Sequence, residues 1–307
     1  MSKLIPERPR YHRERLIVGF AVLAVFALLF LSRLLFARFF PSASFWFVLI
    51  PMGAGLLLPS LVFIGMRGKN YKRALRLHAP RASHIPFLIS AFLALLAGCM
   101  LLSMPFGGTE HVGSSAASFE RFTYSGTFEM IAMIVLLAIL PALLEELFFR
   151  GIVMAEYERR GAVRAVLMSA LLFAFCHFDL PNLPVYLFSG AVLALVLFAT
   201  DSLIATMLLH ICYNVFSLFG QPYLNAFYRI TGGVEIFVFS LILILLLSLI
   251  IFFSTGSRIY HIKDRGGRKN PRRDVPRNVQ FYTILDALCD PPILLCIALT
   301  VVSFFVL

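Results

Sequence analysis

Charge is what this chain has least of. Of its 307 residues 14% are Asp, Glu, Lys or Arg and 60% are hydrophobic, with a mean hydropathy of +0.88, whereas soluble domains carry about 25% charged residues. That shortage excludes an ordinary water-soluble domain. Paired cysteines are missing as well. Cys99, Cys176, Cys212, Cys289 and Cys296 lie in or beside apolar runs and form no CxxC, so they read as small buried hydrophobes, not as a disulfide framework or a zinc ribbon. No HExxH occurs, which rules out the common zinc helix with two His ligands and an acid base. Ser189-Gly190 lacks the rest of a GxSG, and Cys176 and Cys212 sit in apolar helices that offer a thiolate no stabilising charge. There is no repeat period and no separate soluble domain. The basic start (Lys3, Arg8, Arg10, Arg13, Arg15) leads into the apolar run Leu16 to Leu31, which Arg33 and Arg38 follow in place of a small-residue cleavage site. It reads as a retained first helix.

What is present is a series of apolar stretches. Those at 16–36, 43–65, 84–104, 127–149, 234–254 and 284–307 are long, and those at 163–178, 183–200 and 203–219 are shorter. A spanning helix needs about 17–25 residues, so the expected fold is all-α, a polytopic membrane bundle of eight or nine transmembrane helices. The last stretch is interrupted by Asp290-Pro291-Pro292. The net charge of +11 is concentrated in the N-terminal tail, at Arg67 to Arg81 and at Arg258 to Arg277. With the N-terminus cytoplasmic, the loops 66–83, 150–162 and 255–283 fall on one side and hold most of the Lys and Arg, while 105–126 on the other side is nearly neutral. Anionic lipid is the expected neighbour of those loops. Nucleic acid is not an expected partner, because no binding fold or aromatic-basic interleaving accompanies the charge.

Against this background two carboxylates stand out. Met130 to Leu144 contains no charge, and Glu145-Glu146 then arrive together, followed by Arg150. An ionisable group deep in a bilayer costs roughly 2.5–3.5 kcal/mol on insertion scales, so it marks a candidate functional site. Glu146 and Arg150 are i,i+4 and form a structural ion pair in the favourable order. Glu145, one residue's rotation round the helix, has no local partner. Pro141 lies just upstream, where it bends the helix before the acids.

The short stretches from 163 to 219 carry two histidines. Asp179-Leu180-Pro181-Asn182-Leu183-Pro184 separates the first two stretches, and non-helical backbone at that depth survives only around protein or a water-filled cavity. His177 ends the first stretch. His210 and Asn214 share a helical face at i,i+4, a pair of donors suited to an oxyanion. Phe173 reads as core. One Glu without a local partner, one lone His and one His/Asn face make a hydrolytic set, and a proton relay in a transporter would use the same acids.

These residues resemble the CAAX prenyl protease and bacteriocin-processing family, also called the abortive-infection family, of intramembrane proteases. Its motifs EExxxR, FxxxH and HxxxN/B are matched by Glu145-Glu146-Leu-Phe-Phe-Arg150, Phe173-Ala-Phe-Cys-His177 and His210-Ile-Cys-Tyr-Asn214. The resemblance covers about residues 125–220, which it marks as a protease-like core between N-terminal helices (1–124) and C-terminal helices (221–307). It implies a bundle of about eight helices around a cytoplasm-facing, water-accessible cavity, and cleavage of a membrane-associated protein or peptide. The favoured mechanism is metal-free: Glu145 and His177 activate water, and His210 and Asn214 stabilise the oxyanion. A zinc version would use Glu145, His177 and His210 as ligands. The alternatives are a catalytically idle scaffold or immunity protein and a proton-coupled transporter. The basic inside fits a multi-pass protein of a prokaryotic plasma membrane.

Depth raises a difficulty. At 1.5 Å per residue Glu145 lies about 7 Å and His210 about 10 Å from the cytoplasmic face, but His177 about 20 Å. Convergence requires the 127–149 helix to continue, tilted, to about residue 160, or the 163–178 helix to start outside the lipid.

Overall fold

The computed structural model describes residues 8–39, 49–68, 71, 74–107, 126–158, 161–265 and 277–306, and among them every regular element is a helix. In chain order these are α1 (Arg8–Phe39), α2 (Pro51–Arg67), α3 (Ile85–Gly107), α4 (Thr127 through Tyr157), α5 (Ala162–Phe175), α6 (Leu183–Thr200), α7 (Leu203–Phe219), α8 (Gln221–Thr231), α9 (Val234–Arg265), α10 (Arg277–Leu288) and α11 (Pro291–Val306).

Length and composition make five of the described segments capable of crossing a membrane: Ile17–Leu35, Ala82–Pro105, Met130–Tyr157, Leu183–Thr200 and Val234–Tyr260. Two further pairs become spans if each is taken as one bent element, α7 with α8 (70°) and α10 with α11 (62°). The second bend falls at Asp290-Pro291-Pro292, where proline removes donors that a continuous helix needs. α2 and α5 are shorter apolar helices. Along α9 the side chains of Ile242, Leu246, Ile250 and Phe253 are exposed, an apolar face that suits lipid and not water.

Packing follows side-chain size. Phe87 of α3 stacks on Phe252 of α9 with centroids 4.7 Å apart. At Gly98 of α3 an added Cβ would sit 2.3 Å from the Phe188 ring of α6, so glycine there lets the two helices touch. The largest buried cluster joins α1, α2, the second half of α4, and α5, with Phe148, Phe149, Ile152 and Val153 completely enclosed.

α4 corrects one expected boundary. The apolar stretch 127–149 predicts a loop over 150–162, yet helix runs without a break to Tyr157. Residues 151–154 are buried and, glycine apart, bulky and apolar, so burial carries the helix past the charge. Its backbone is not uniform. It widens into i→i+5 turns over Ile134–Ile139 and again over Glu146–Met154. Pro141 lies between them and lacks the N–H that would pair with Leu137.

The polar end of α4 is tied to its neighbours. Arg67 donates to Glu156 at 2.7 Å, and Arg76 pairs with Glu158 and with Asp201, the latter at 3.2 Å. The Leu203 amide donates to the Arg76 carbonyl at 3.0 Å. Part of the basic stretch 67–81 is thus engaged with acids of the same bundle end, which we call the basic end. The segment read as the basic loop 255–283 is helical on both sides, with 266–276 outside the described residues. The neutral connection 105–126 likewise lies almost wholly outside them.

Candidate active site

Glu146 and Arg150 project from the widened part of α4, and both side chains are completely buried. Arg150 Nη1 donates to Glu146 Oε1 at 2.9 Å. Its Nη2 donates to the Gly190 carbonyl of α6 at 2.9 Å, and the guanidinium lies 4.4 Å from the Phe173 ring centroid of α5. One arginine therefore joins three helices. In an apolar interior such a charge is tolerable only with an acid and acceptors around it.

Glu146 also reaches α7. His210 Nδ1 lies 2.9 Å from Glu146 Oε1. A carboxylate held by an arginine accepts, so His210 donates through Nδ1. The opposite nitrogen, Nε2, lies 3.9 Å from Glu145 Oε2. The imidazole thus stands between the two acids. Ser202 helps to aim it by capping α7: its hydroxyl accepts from the Ala205 amide at 3.1 Å.

Asn214, one turn beyond His210, donates Nδ2–H to the Ala138 carbonyl at 3.2 Å. That carbonyl belongs to the widened turn before Pro141. An amide group has two N–H donors, so one remains for a ligand after this bond is made.

His177 sits in the turn just past α5. Its Nδ1 lies 2.7 Å from the Phe173 carbonyl, an acceptor, so Nδ1 carries the proton and Nε2 the lone pair in the neutral ring. The imidazole stacks on Tyr186 at 3.9 Å and 17° and meets the edge of Phe173 at 4.8 Å.

Glu145, His177, His210 and Asn214 line one cavity of about 220 Å³, with Leu95, Leu137, Pro141, Tyr186 and Ser217 among the other walls. At about 30 Å³ of liquid volume each, it has room for several waters. The depth difficulty finds its physical answer in α4: twelve residues, about 18 Å of helix, follow Glu145 up to and including Tyr157. The cavity has a direction. Along α4 its lining stops at Glu145, along α6 at Leu193 and along α7 at His210. Nearer the basic end along α4 and α7, Phe148, Phe149, Ile152, Val153 and Leu203 are completely buried in one apolar cluster.

Phe173 reads as core and is also the first residue of the FxxxH match; it is 2% exposed and touches His177, His210, Phe149 and Arg150. Some participants had no signal in the sequence. Gly190 and Tyr186 carried none.

A zinc ion would need three donors facing one point. Among the described residues no group of three or more His, Cys, Asp and Glu is arranged to hold a metal. His177 and His210 each turn Nδ1 onto a protein oxygen, which leaves Nε2 of each ring as the nitrogen that faces a ligand.

The family model described as type II CAAX prenyl endopeptidase, Rce1-like, matches residues 127–216, a stretch that contains all three motifs. The resemblance carried by those motifs is to the CAAX protease family. No curated protein and no solved structure matches the chain.

Proposed function

We propose that this chain is an intramembrane endopeptidase that hydrolyses a peptide bond of a membrane-associated protein or peptide. One observation carries the reading: Glu145, His177, His210 and Asn214, from separate parts of the chain, line a single cavity inside an apolar bundle. The match of residues 127–216 to the Rce1-like endopeptidase family supports the same class of activity.

In the mechanism we favour, a water lies between Glu145 and His177. Glu145 takes its proton while the oxygen attacks the scissile carbonyl, and His177 orients the water through the Nε2 lone pair. The carbonyl oxygen becomes an oxyanion that accepts from His210 Nε2–H and Asn214 Nδ2–H. Because His210 already gives Nδ1–H to Glu146, donation through Nε2 as well requires the imidazolium. Glu145 and Glu146 as carboxylates, Arg150 and the His210 imidazolium then sum to zero charge, which suits a low-dielectric interior. Collapse of the tetrahedral intermediate breaks the C–N bond, and the proton held by Glu145 passes to the leaving amine. No step uses a metal. In our reading Glu146 and Arg150 hold the constellation, the N-terminus is cytoplasmic, and anionic lipid meets the basic loops, so the cavity lining runs away from the cytoplasmic end and not, as the resemblance implies, toward it.

The test is cleavage of a panel of quenched, membrane-tethered peptides by the purified chain and by Glu145→Ala, each with and without a chelator. We expect cleavage that disappears in Glu145→Ala and persists with chelator. Activity lost to chelator and restored by zinc would overturn the metal-free mechanism. Equal cleavage by Glu145→Ala would overturn the role of the acid. A wild type that cuts no peptide would favour an idle scaffold.

A further inference from the structure

We infer that Tyr186, placed by the turn that Asp179 closes, is the positioning residue that fixes the His177 ring for reaction by stacking on it; the inference rests on His177 facing the water in the proposed hydrolysis. His177 lies beyond the last turn of α5, so its ring is not enclosed by a following turn of helix. Contacts with Phe173 and Tyr186 hold it. The first is the bond from Nδ1 to the Phe173 carbonyl at 2.7 Å, one of the acceptors that every helix leaves open at its C-terminus. That bond alone allows the ring to swing about it. The second is the Tyr186 ring, stacked 3.9 Å away and 17° from parallel. With the Phe173 edge also against the imidazole, at 4.8 Å and 64°, the ring plane is held, and with it the tautomer that presents the Nε2 lone pair to the cavity.

Tyr186 is itself placed by the turn that joins α5 to α6. Asp179 accepts from the Asn182 amide at 3.2 Å, from Asn182 Nδ2 at 2.9 Å and from the Tyr186 hydroxyl at 3.4 Å. A single carboxylate thus closes the turn and reaches the ring one turn into α6. The preceding residue, Phe178, has φ of 50°, in the left-handed region, and its ring is packed against Phe26 and Phe30 of α1. Tyr186 and Asn182 both line the cavity. The proline-broken segment 179–184 therefore has a task beyond reversing the chain: it lays a tyrosine face on the histidine.

The experiment uses the full chain labelled with ¹⁵N-histidine in detergent, the His177 signals being those lost in His177→Gln. Wild type should show a single Nδ1–H tautomer, and Tyr186→Phe, which keeps the stack, should retain it with kcat within about threefold. Tyr186→Leu should show a mixture of the two tautomers and a fall in kcat of at least about tenfold with KM little changed. An unchanged His177 tautomer in Tyr186→Leu overturns the inference. The spectrum decides this even if no peptide is cleaved, so failure of the proposed activity and failure of the positioning role are read separately. Should Tyr186→Leu not fold, Tyr186→Met carries the same comparison.

Discussion

Arg150 and Asn214 show how single side chains divide the work of the site. Arg150 touches Glu146, the Gly190 carbonyl and the Phe173 ring while completely buried. Arg150→Met leaves the Glu146 carboxylate and a backbone carbonyl without that donor, and breaking a buried pair this way costs about 3–5 kcal/mol. A denaturant titration of the detergent-solubilised protein should show that loss as an earlier midpoint. In the mechanism we propose, Asn214→Ala acts on the chemistry instead. Removal of one oxyanion donor lowers kcat by about 10²–10³, so steady-state kinetics should show that fall with KM nearly unchanged. The spacing of Glu146 with Arg150 and of His210 with Asn214 was legible in the sequence because i,i+4 is a property of any helix. The bond from His210 to Glu146 crosses 64 residues, and no local periodicity encodes it. Tyr186 is the same case: its partner His177 sits on the other side of a turn whose path depends on one left-handed residue.

At the scale of elements, α4 and the pair α5 and α6 decide whether the residues meet. α4 was legible as a helix but not in its extent. A charged residue marks a boundary only where it meets water, and Arg150 meets Glu146 and Gly190 instead. The widened turns around Pro141 and after Glu146 are also invisible to composition, since the motif reads the same in an α-helix. α6 approaches α5 where Gly190 lies beside Ala170 and Phe173. A Cβ at Gly190 would stand 3.1 Å from Ala170 Cα and 3.1 Å from Phe173 Cδ1. Gly190→Val therefore forces the helices apart, and overpacking of this kind costs about 1–3 kcal/mol. It also displaces the ring that touches both histidines. We expect a lowered thermal midpoint together with loss of activity, and wild-type values of both would contradict the close packing.

The whole molecule has two unlike ends. The basic end is closed by ion pairs from Arg67 and Arg76 and by the packed side chains below Glu145 and His210, whereas the cavity lining runs from those residues toward the other end. Along α6 and α7 about 10 Å of helix separates the lining from the basic end, at 1.5 Å per residue. Cysteines introduced at Ser217 and at His78, in a chain whose five native cysteines are replaced, test this. An impermeant thiol reagent should label Ser217→Cys from the membrane face opposite to the one that labels His78→Cys; labelling of both from one face would contradict the closed basic end. Hydropathy was sufficient to read a polytopic helical bundle, because lipid requires continuous apolar helices. It could not show which end is plugged, since Ile152, Val153 and Phe148 are as apolar as residues that face lipid.

The account as a whole depends on Glu145 moving a proton. Its most direct test is the cleavage rate of a saturating membrane-tethered peptide by wild type and by Glu145→Gln, which keeps the side chain's size but cannot serve as a base. A general base contributes about 10²–10⁴-fold, so we predict a fall of that order with the thermal midpoint unchanged. Cleavage by a folded Glu145→Gln protein at the wild-type rate would contradict it.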